Sequence, residues 1–340
     1  MKTKLSKTYN LFIRLAIILL TFGFLYDQIF FRKNLQEIIQ YIPTVSGTHG
    51  FYMNLIFAIL LIPVNQYLEI AKWKYLIDKL EKVSIWTATK AVLTGISVSM
   101  FMPNRMGDYL GRVFVLKHAN RLQATLITLL GSMAQLLITL VYGFLAVLFF
   151  YPWYYDMGEE LNVWVYSGLV LFILVTTIVL VFAYLNFAGF SDILKRISGR
   201  FYNRIKKYSE VFSWYTFKNL LLVLLLSALR YVVFSFQFYL LLKVFDIPVN
   251  YYAAIILIGL VYLLMTLIPT IALSELGVRG SVSLFVFSLY LQPLEMWSDN
   301  IEFGVVTAAS VLWLMNLALP ALFGLIFVYS LRFFRYGNGN

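Results

Sequence analysis

An all-α, polytopic membrane helix bundle is predicted by three features of this chain. Hydrophobic residues make up 61% and charged residues only 13%, against roughly 45–50% and about 25% in soluble domains. Apolar runs of about 20 residues, the length that spans a hydrocarbon core of about 30 Å, recur along almost all of the 340 residues. No polar stretch between them is long enough to fold as a soluble unit, so residues 1–340 read as one transmembrane domain.

About seven full spans are expected. The first run, Leu11–Phe31, follows Lys2, Lys4 and Lys7, lacks a small-residue cleavage site and is longer than a signal-peptide core. It reads as a retained helix that starts in the cytoplasm. Asn54–Ala71 returns, Leu122–Phe150 goes out and Val163–Phe187 comes back. The loop Tyr151–Leu161 holds Asp156, Glu159 and Glu160 with no Lys or Arg, whereas Lys72–Lys90 and Lys195–Lys207 are basic; basic loops belong inside. Leu220–Leu242 then goes out, Tyr251–Ile268 in, and Phe303–Tyr329 ends beside Arg332 and Arg335. Both termini are therefore expected in the cytoplasm.

Two segments do not fit as full spans. Ile85–Met102 lies between loops that both look cytoplasmic, and Ser281–Leu291 is too short to cross. The simplest topology makes Ile85–Arg121 a re-entrant hairpin and Tyr251–Pro293 a broken pair of opposite sense, an arrangement that would suit an inverted-repeat transporter. Residues 188–216 form a cytoplasmic linker in which Arg196, Arg200 and Arg204 run beside Ile193, Ile197, Phe201 and Ile205. That pattern is an interfacial amphipathic helix, or simply a positive-inside linker.

Both unusual segments flank a proline followed by an acid and an arginine four residues apart: Pro103-Asn104-Arg105-Met-Gly107-Asp108-Tyr-Leu-Gly111-Arg112 and Pro269-Thr-Ile-Ala-Leu-Ser-Glu275-Leu-Gly277-Val-Arg279. Ionisable residues at membrane depth are costly and mark function by default. The bland alternative is an internal salt bridge, since acid before base at this spacing is the favoured order on a helix. Pro103, Gly107, Pro269 and Gly277 are expected to break helices or admit close backbone, leaving free amides and arginine donors for a phosphate. Arg230 sits mid-span with Ser227 and Gln237 on its face and needs a counter-charge, for which Asp108, Glu275 and a lipid phosphate are the candidates. Asn65, Glu69 and Lys72 form a secondary polar stripe after Pro63, and Ser132, Gln135 and Thr139 a third.

Several chemistries are not indicated. Cys is absent, and His49 and His118 alone make no zinc site. There is no Walker loop, dinucleotide fingerprint or serine elbow, so no catalytic residue, metal or cofactor is assigned. The net charge of +11 fits cytoplasmic loops facing anionic headgroups. Membrane lipids rather than nucleic acid are the expected partners.

At Asn65–Trp73, Met102–Arg112, Gly131–Gln135, Leu229–Gln237 and Ile268–Gly280 the chain resembles the flippase-like membrane domain family of lysylphosphatidylglycerol synthases and its stand-alone relatives. The resemblance implies a bacterial inner-membrane bundle that binds and moves amphiphilic lipids between leaflets, such as aminoacylated phospholipid or polyprenyl-phosphate-linked sugar, with a separate lipid-modifying enzyme as a candidate partner. Asp108 stands where that family commonly has Glu, and the synthases' soluble aminoacyl-transfer domain is missing from this sequence. The combined expectation is a headgroup site built from Asn104, Arg105, Asp108, Arg112, Arg230, Gln237, Glu275 and Arg279. A membrane-embedded transferase and a non-catalytic envelope-complex subunit are the competing readings.

Overall fold

A computed structural model describes residues 50–100, 102, 106–155, 162–189, 210–269 and 272–331, with a few isolated positions before residue 50. Among the described residues there are ten α-helices and no strand: α1 (Phe51–Ile77), α2 (Ile85–Ser99), α3 (Gly107–Val113), α4 (Arg121–Tyr155), α5 (Val163–Leu185), α6 (Phe217–Val244), α7 (Tyr251–Leu267), α8 (Ala272–Leu291), α9 (Asp299–Trp313) and α10 (Leu319–Leu325). A π-helical turn, Leu314–Ala318, joins the last two. Helices α1, α4, α5, α6 and the continuous stretch Asp299–Leu325 are long and apolar enough to cross a membrane, and the shorter α7 is apolar as well. The chain is an all-α, multi-pass membrane bundle. The expected first span, Leu11–Phe31, lies largely outside the described residues, and the basic segment 191–208 lies wholly outside them.

Polar residues at the helix ends explain where the elements begin. The Ser84 hydroxyl accepts from the Thr87 N–H at the start of α2, Asn162 accepts from Trp164 and Val165 at the start of α5, and Asn250 accepts from Ala253 at the start of α7. Each satisfies amides that a helix leaves unpaired in its first turn.

Helices α2 and α3 pack closely against each other. With 15 and 7 residues they are about 22 Å and about 10 Å long, so neither crosses the bilayer alone. Gly95 and Gly111 allow the two backbones to touch: a Cβ on Gly111 would lie 2.6 Å from the Gly95 Cα. The outer face of α2 is equally close to α10, where a Cβ on Gly324 would lie 2.1 Å from the Leu93 carbonyl oxygen and where the Ser97 hydroxyl donates to the Ala321 carbonyl at 2.7 Å.

The second broken pair differs from expectation. Helix α7 ends at Leu267, just before Pro269, but α8 already begins at Ala272 and runs 20 residues, about 30 Å. The helix is therefore longer than the short segment Ser281–Leu291 expected from sequence. Glu275 and Arg279 lie inside α8, where their pairing allows the helix to continue through them. Gly277 is consequently no breaker: it is in the helix interior, and beyond its chain neighbours and the backbone of its own helix nothing lies within 4 Å of where its Cβ would be.

Two buried apolar clusters hold the bundle, one around Trp73, Val92, Ile127 and Val223 and the other around Ala58, Phe238, Leu257 and Phe287. Along α1 the change from one to the other falls at Asn65–Glu69, and along α6 it falls at Ser227–Arg230. A polar layer thus sits at the border between two dry cores.

The turn between α1 and α2 is tied to the exit of the hairpin by Glu81, whose carboxylate accepts from the backbone N–H groups of Lys117, His118 and Ala119 at 3.0, 2.8 and 2.6 Å. Partial burial pushes this carboxyl up, but the three donors outweigh it and hold it below the ordinary glutamate range. A depressed folded pKa stabilises above the unfolded value of about 4.3, and the contribution disappears as pH falls through the lower folded value. Glu81→Gln should therefore lower stability at pH 7, and the gap to wild type should close in acid. Unfolding measured across pH 7 to 3 checks this, and a gap independent of pH contradicts it.

Candidate functional site

The polar layer is built around Glu69. One turn below it on α1, Lys72 places Nζ 2.8 Å from Glu69 Oε2. From α3, Arg112 Nη1 reaches Glu69 Oε1 at 2.7 Å, while its Nε and Nη2 hold both oxygens of Asp108 at 2.8 and 2.6 Å. From α6, Arg230 Nη1 approaches Glu69 Oε2 at 3.1 Å. Three cations therefore share two carboxylates, and the cluster keeps a net charge of +1. Lys72, Glu69 and Arg112 are almost fully buried, whereas the Arg230 side chain is 26% exposed. The counter-charge of Arg230 is thus Glu69, from the stripe ranked second by sequence, and not Asp108 or Glu275.

A chain of amides fixes how Arg230 is presented. Its Nε donates to Asn65 Oδ1 at 2.9 Å, Asn65 Nδ2 donates to Asn316 Oδ1 at 2.5 Å, and Asn316 Nδ2 donates to Gln237 Oε1 at 2.8 Å. Gln237 Nε2 ends the chain on the Ala58 carbonyl at 2.7 Å. Local sequence explains Asn316. It occupies the π turn, and Pro320 has no N–H to offer its carbonyl, which accepts instead from Gln66 Nε2 at 3.3 Å. Asn316 was not singled out from sequence, although a lone Asn in an apolar span is a readable signal.

Arg230 also lines a cavity of about 630 Å³. Across it stand Glu275 and Arg279 of α8, paired Oε1 to Nη2 at 3.0 Å. Gln135 and Thr139 of α4, Tyr262 and Thr266 of α7, and Trp313 and Asn316 add polar groups to its wall, which also includes Pro269 just beyond the end of α7. Both proline motifs are therefore linked to one hollow, the second directly and the first through Arg112, Glu69 and Arg230. Asp108 and Arg112 are not on its wall, and neither is Gln237, which is fully buried and braces Asn316. Asn104, Arg105 and Pro103 lie outside the described residues. Gly107 opens α3 in close contact with Val98.

The hydrogen-bond balance of the cavity is one-sided. Arg279 Nε and Nη1, the Tyr262 hydroxyl and Trp313 Nε1 are buried without a hydrogen-bond partner, and all belong to residues on its wall. Arg279 and Trp313 nitrogens can only donate. Tyr262 and Trp313 were not expected from sequence, since an aromatic in an apolar helix gives no sign of whether its polar atom meets a ligand.

A family model described as the lysylphosphatidylglycerol synthase TM region matches residues 11–298. Neither curated proteins nor solved structures give a significant match. The matched residues include both proline motifs, Glu69 and Arg230, and the family points to a membrane role connected with lipids. The chain belongs to the family of lysylphosphatidylglycerol synthase transmembrane regions.

Proposed function

We propose that the cavity binds the anionic headgroup of a membrane lipid and that the protein moves this amphiphile between leaflets of a bacterial inner membrane. The unpaired donors buried in residues that line the cavity carry this reading. Four donor atoms without an acceptor are each costly to leave unsatisfied, about 1–3 kcal/mol, and a phosphate supplies several acceptor oxygens at once. Arg230, partly exposed and held by Asn65 and Glu69, presents the remaining positive charge. In this reading Arg230 and Arg279 hold the phosphate, Glu275 takes a cationic substituent if the headgroup has one, and the acyl tails stay in the bilayer. Arg112, held by Asp108, braces Glu69 rather than touching the lipid.

The test is leaflet exchange of fluorescent anionic and zwitterionic phospholipids by purified protein in vesicles. Arg230→Gln keeps the shape and polarity of the stem and leaves Glu69 with Lys72 and Arg112, so the fold should survive. Loss of a charge-assisted contact of about 1.5–3 kcal/mol should slow exchange of the anionic lipid by about tenfold or more. Equal exchange by wild type and variant removes Arg230 from the mechanism and the headgroup site with it.

A further inference from the structure

A second hollow, of about 570 Å³, lies between α4 and α5 and is lined by Met133, Leu136, Leu137, Leu140, Ala183 and Phe187 among others. We infer that it seats an acyl chain of the same lipid whose headgroup occupies the polar cavity, an inference that rests on that reading of the cavity. Three observations carry it.

The two hollows share a residue. Gln135, Leu136 and Thr139 line the polar cavity, and Met133, Leu136, Leu137 and Leu140 line the apolar one. At about 100° per residue these are adjacent faces of one stretch of α4, with Leu136 on the border and 47% exposed. An amphiphile with its head beside Gln135 and Arg230 therefore meets the apolar hollow as soon as its tail passes Leu136. The two polar side chains in its lining both donate to backbone within the protein. The Tyr184 hydroxyl donates to the Leu130 carbonyl at 3.3 Å, and Asn186 Nδ2 donates to the Phe182 carbonyl at 2.9 Å. What faces the space is thus hydrocarbon, the chemistry of a lipid tail. Finally, α5 packs on α4 along one side and leaves Phe172, Val175, Val179 and Phe182 exposed, so the hollow lies beside a helix that faces lipid.

Ala183 is exposed and lies on the hollow's wall, so Ala183→Trp fills the space without disturbing a buried core or the polar cavity. Binding of dioleoyl and dihexanoyl phosphatidic acid to purified protein in detergent separates tail from head. Ala183→Trp should weaken dioleoyl binding by about tenfold and leave dihexanoyl binding unchanged, whereas Arg230→Gln should weaken both. An Ala183→Trp variant that binds both lipids like wild type overturns the inference, because the hollow is then filled by another segment of the chain or by bulk lipid. Equal loss for both lipids overturns it too. Wild type that binds neither lipid overturns the headgroup reading first, and this inference with it.

Discussion

Glu69→Gln should be the most damaging polar substitution in the protein, costing about 3–5 kcal/mol, the usual consequence of removing one partner from a buried ionic group. Its two oxygens serve three cations, Arg112, Lys72 and Arg230, at 2.7, 2.8 and 3.1 Å. Without its charge, the one carboxylate left in the cluster is Asp108, which is paired with Arg112. An amide accepts through only one oxygen and presents an NH₂ to a neighbouring cation, so Lys72, only 2% exposed, is left in a low-dielectric site with no counter-charge. Unfolding in detergent measures the loss. Lys72→Met on the same background removes the stranded charge while keeping the stem, and should recover part of it. A double-mutant cycle then separates the pair from the rest of the network. Glu69→Gln within about 0.5 kcal/mol of wild type would place it among ordinary surface changes and contradict a load shared by three cations.

Sequence made the two acid–arginine pairs readable because each is local: acid and base four residues apart on one helix meet whatever the rest of the fold does. Asp108–Arg112 and Glu275–Arg279 indeed pair within their own helices. The Asn65, Glu69, Lys72 stripe was visible for the same reason. Its rank was not, since Glu69 gains its importance from Arg112 and Arg230, which arrive from α3 and α6 at a depth and rotation set by packing. The short segment Ser281–Leu291 expected from sequence left out the first part of α8, where Glu275 and Arg279 pair on one face and the helix runs through them. Tyr262 and Trp313 became site residues only once the cavity wall was known, because helix rotation decides which atoms of α7 and α9 it includes.

Gly111→Ala should be nearly as disruptive as loss of Glu69, and through packing alone. A methyl group there would lie 2.6 Å from the Gly95 Cα and 2.9 Å from the Thr94 carbonyl oxygen. Backbone cannot rotate away as a side chain can, so α3 must move. Gly107, one turn earlier, is under the same constraint, with the Val98 carbonyl oxygen 2.3 Å from its would-be Cβ, and Gly107-x-x-x-Gly111 is the small-residue spacing that brings membrane helices into backbone contact. Overpacking of this kind costs about 1–3 kcal/mol. The functional loss should be larger than the stability loss suggests, since a shift of α3 carries Asp108 and Arg112 away from Glu69 and so releases Arg230 from its present position at the cavity wall. Gly277→Ala is the matched control: it lies in α8 with open space at its Cβ position, and the gain in helix propensity should leave stability unchanged or raised by up to about 1 kcal/mol. Unfolding and leaflet exchange measured together distinguish the two positions. If Gly111→Ala and Gly277→Ala behave alike, the hairpin's close contact does not hold the charged cluster in register, and the link from the first proline motif to the cavity is broken.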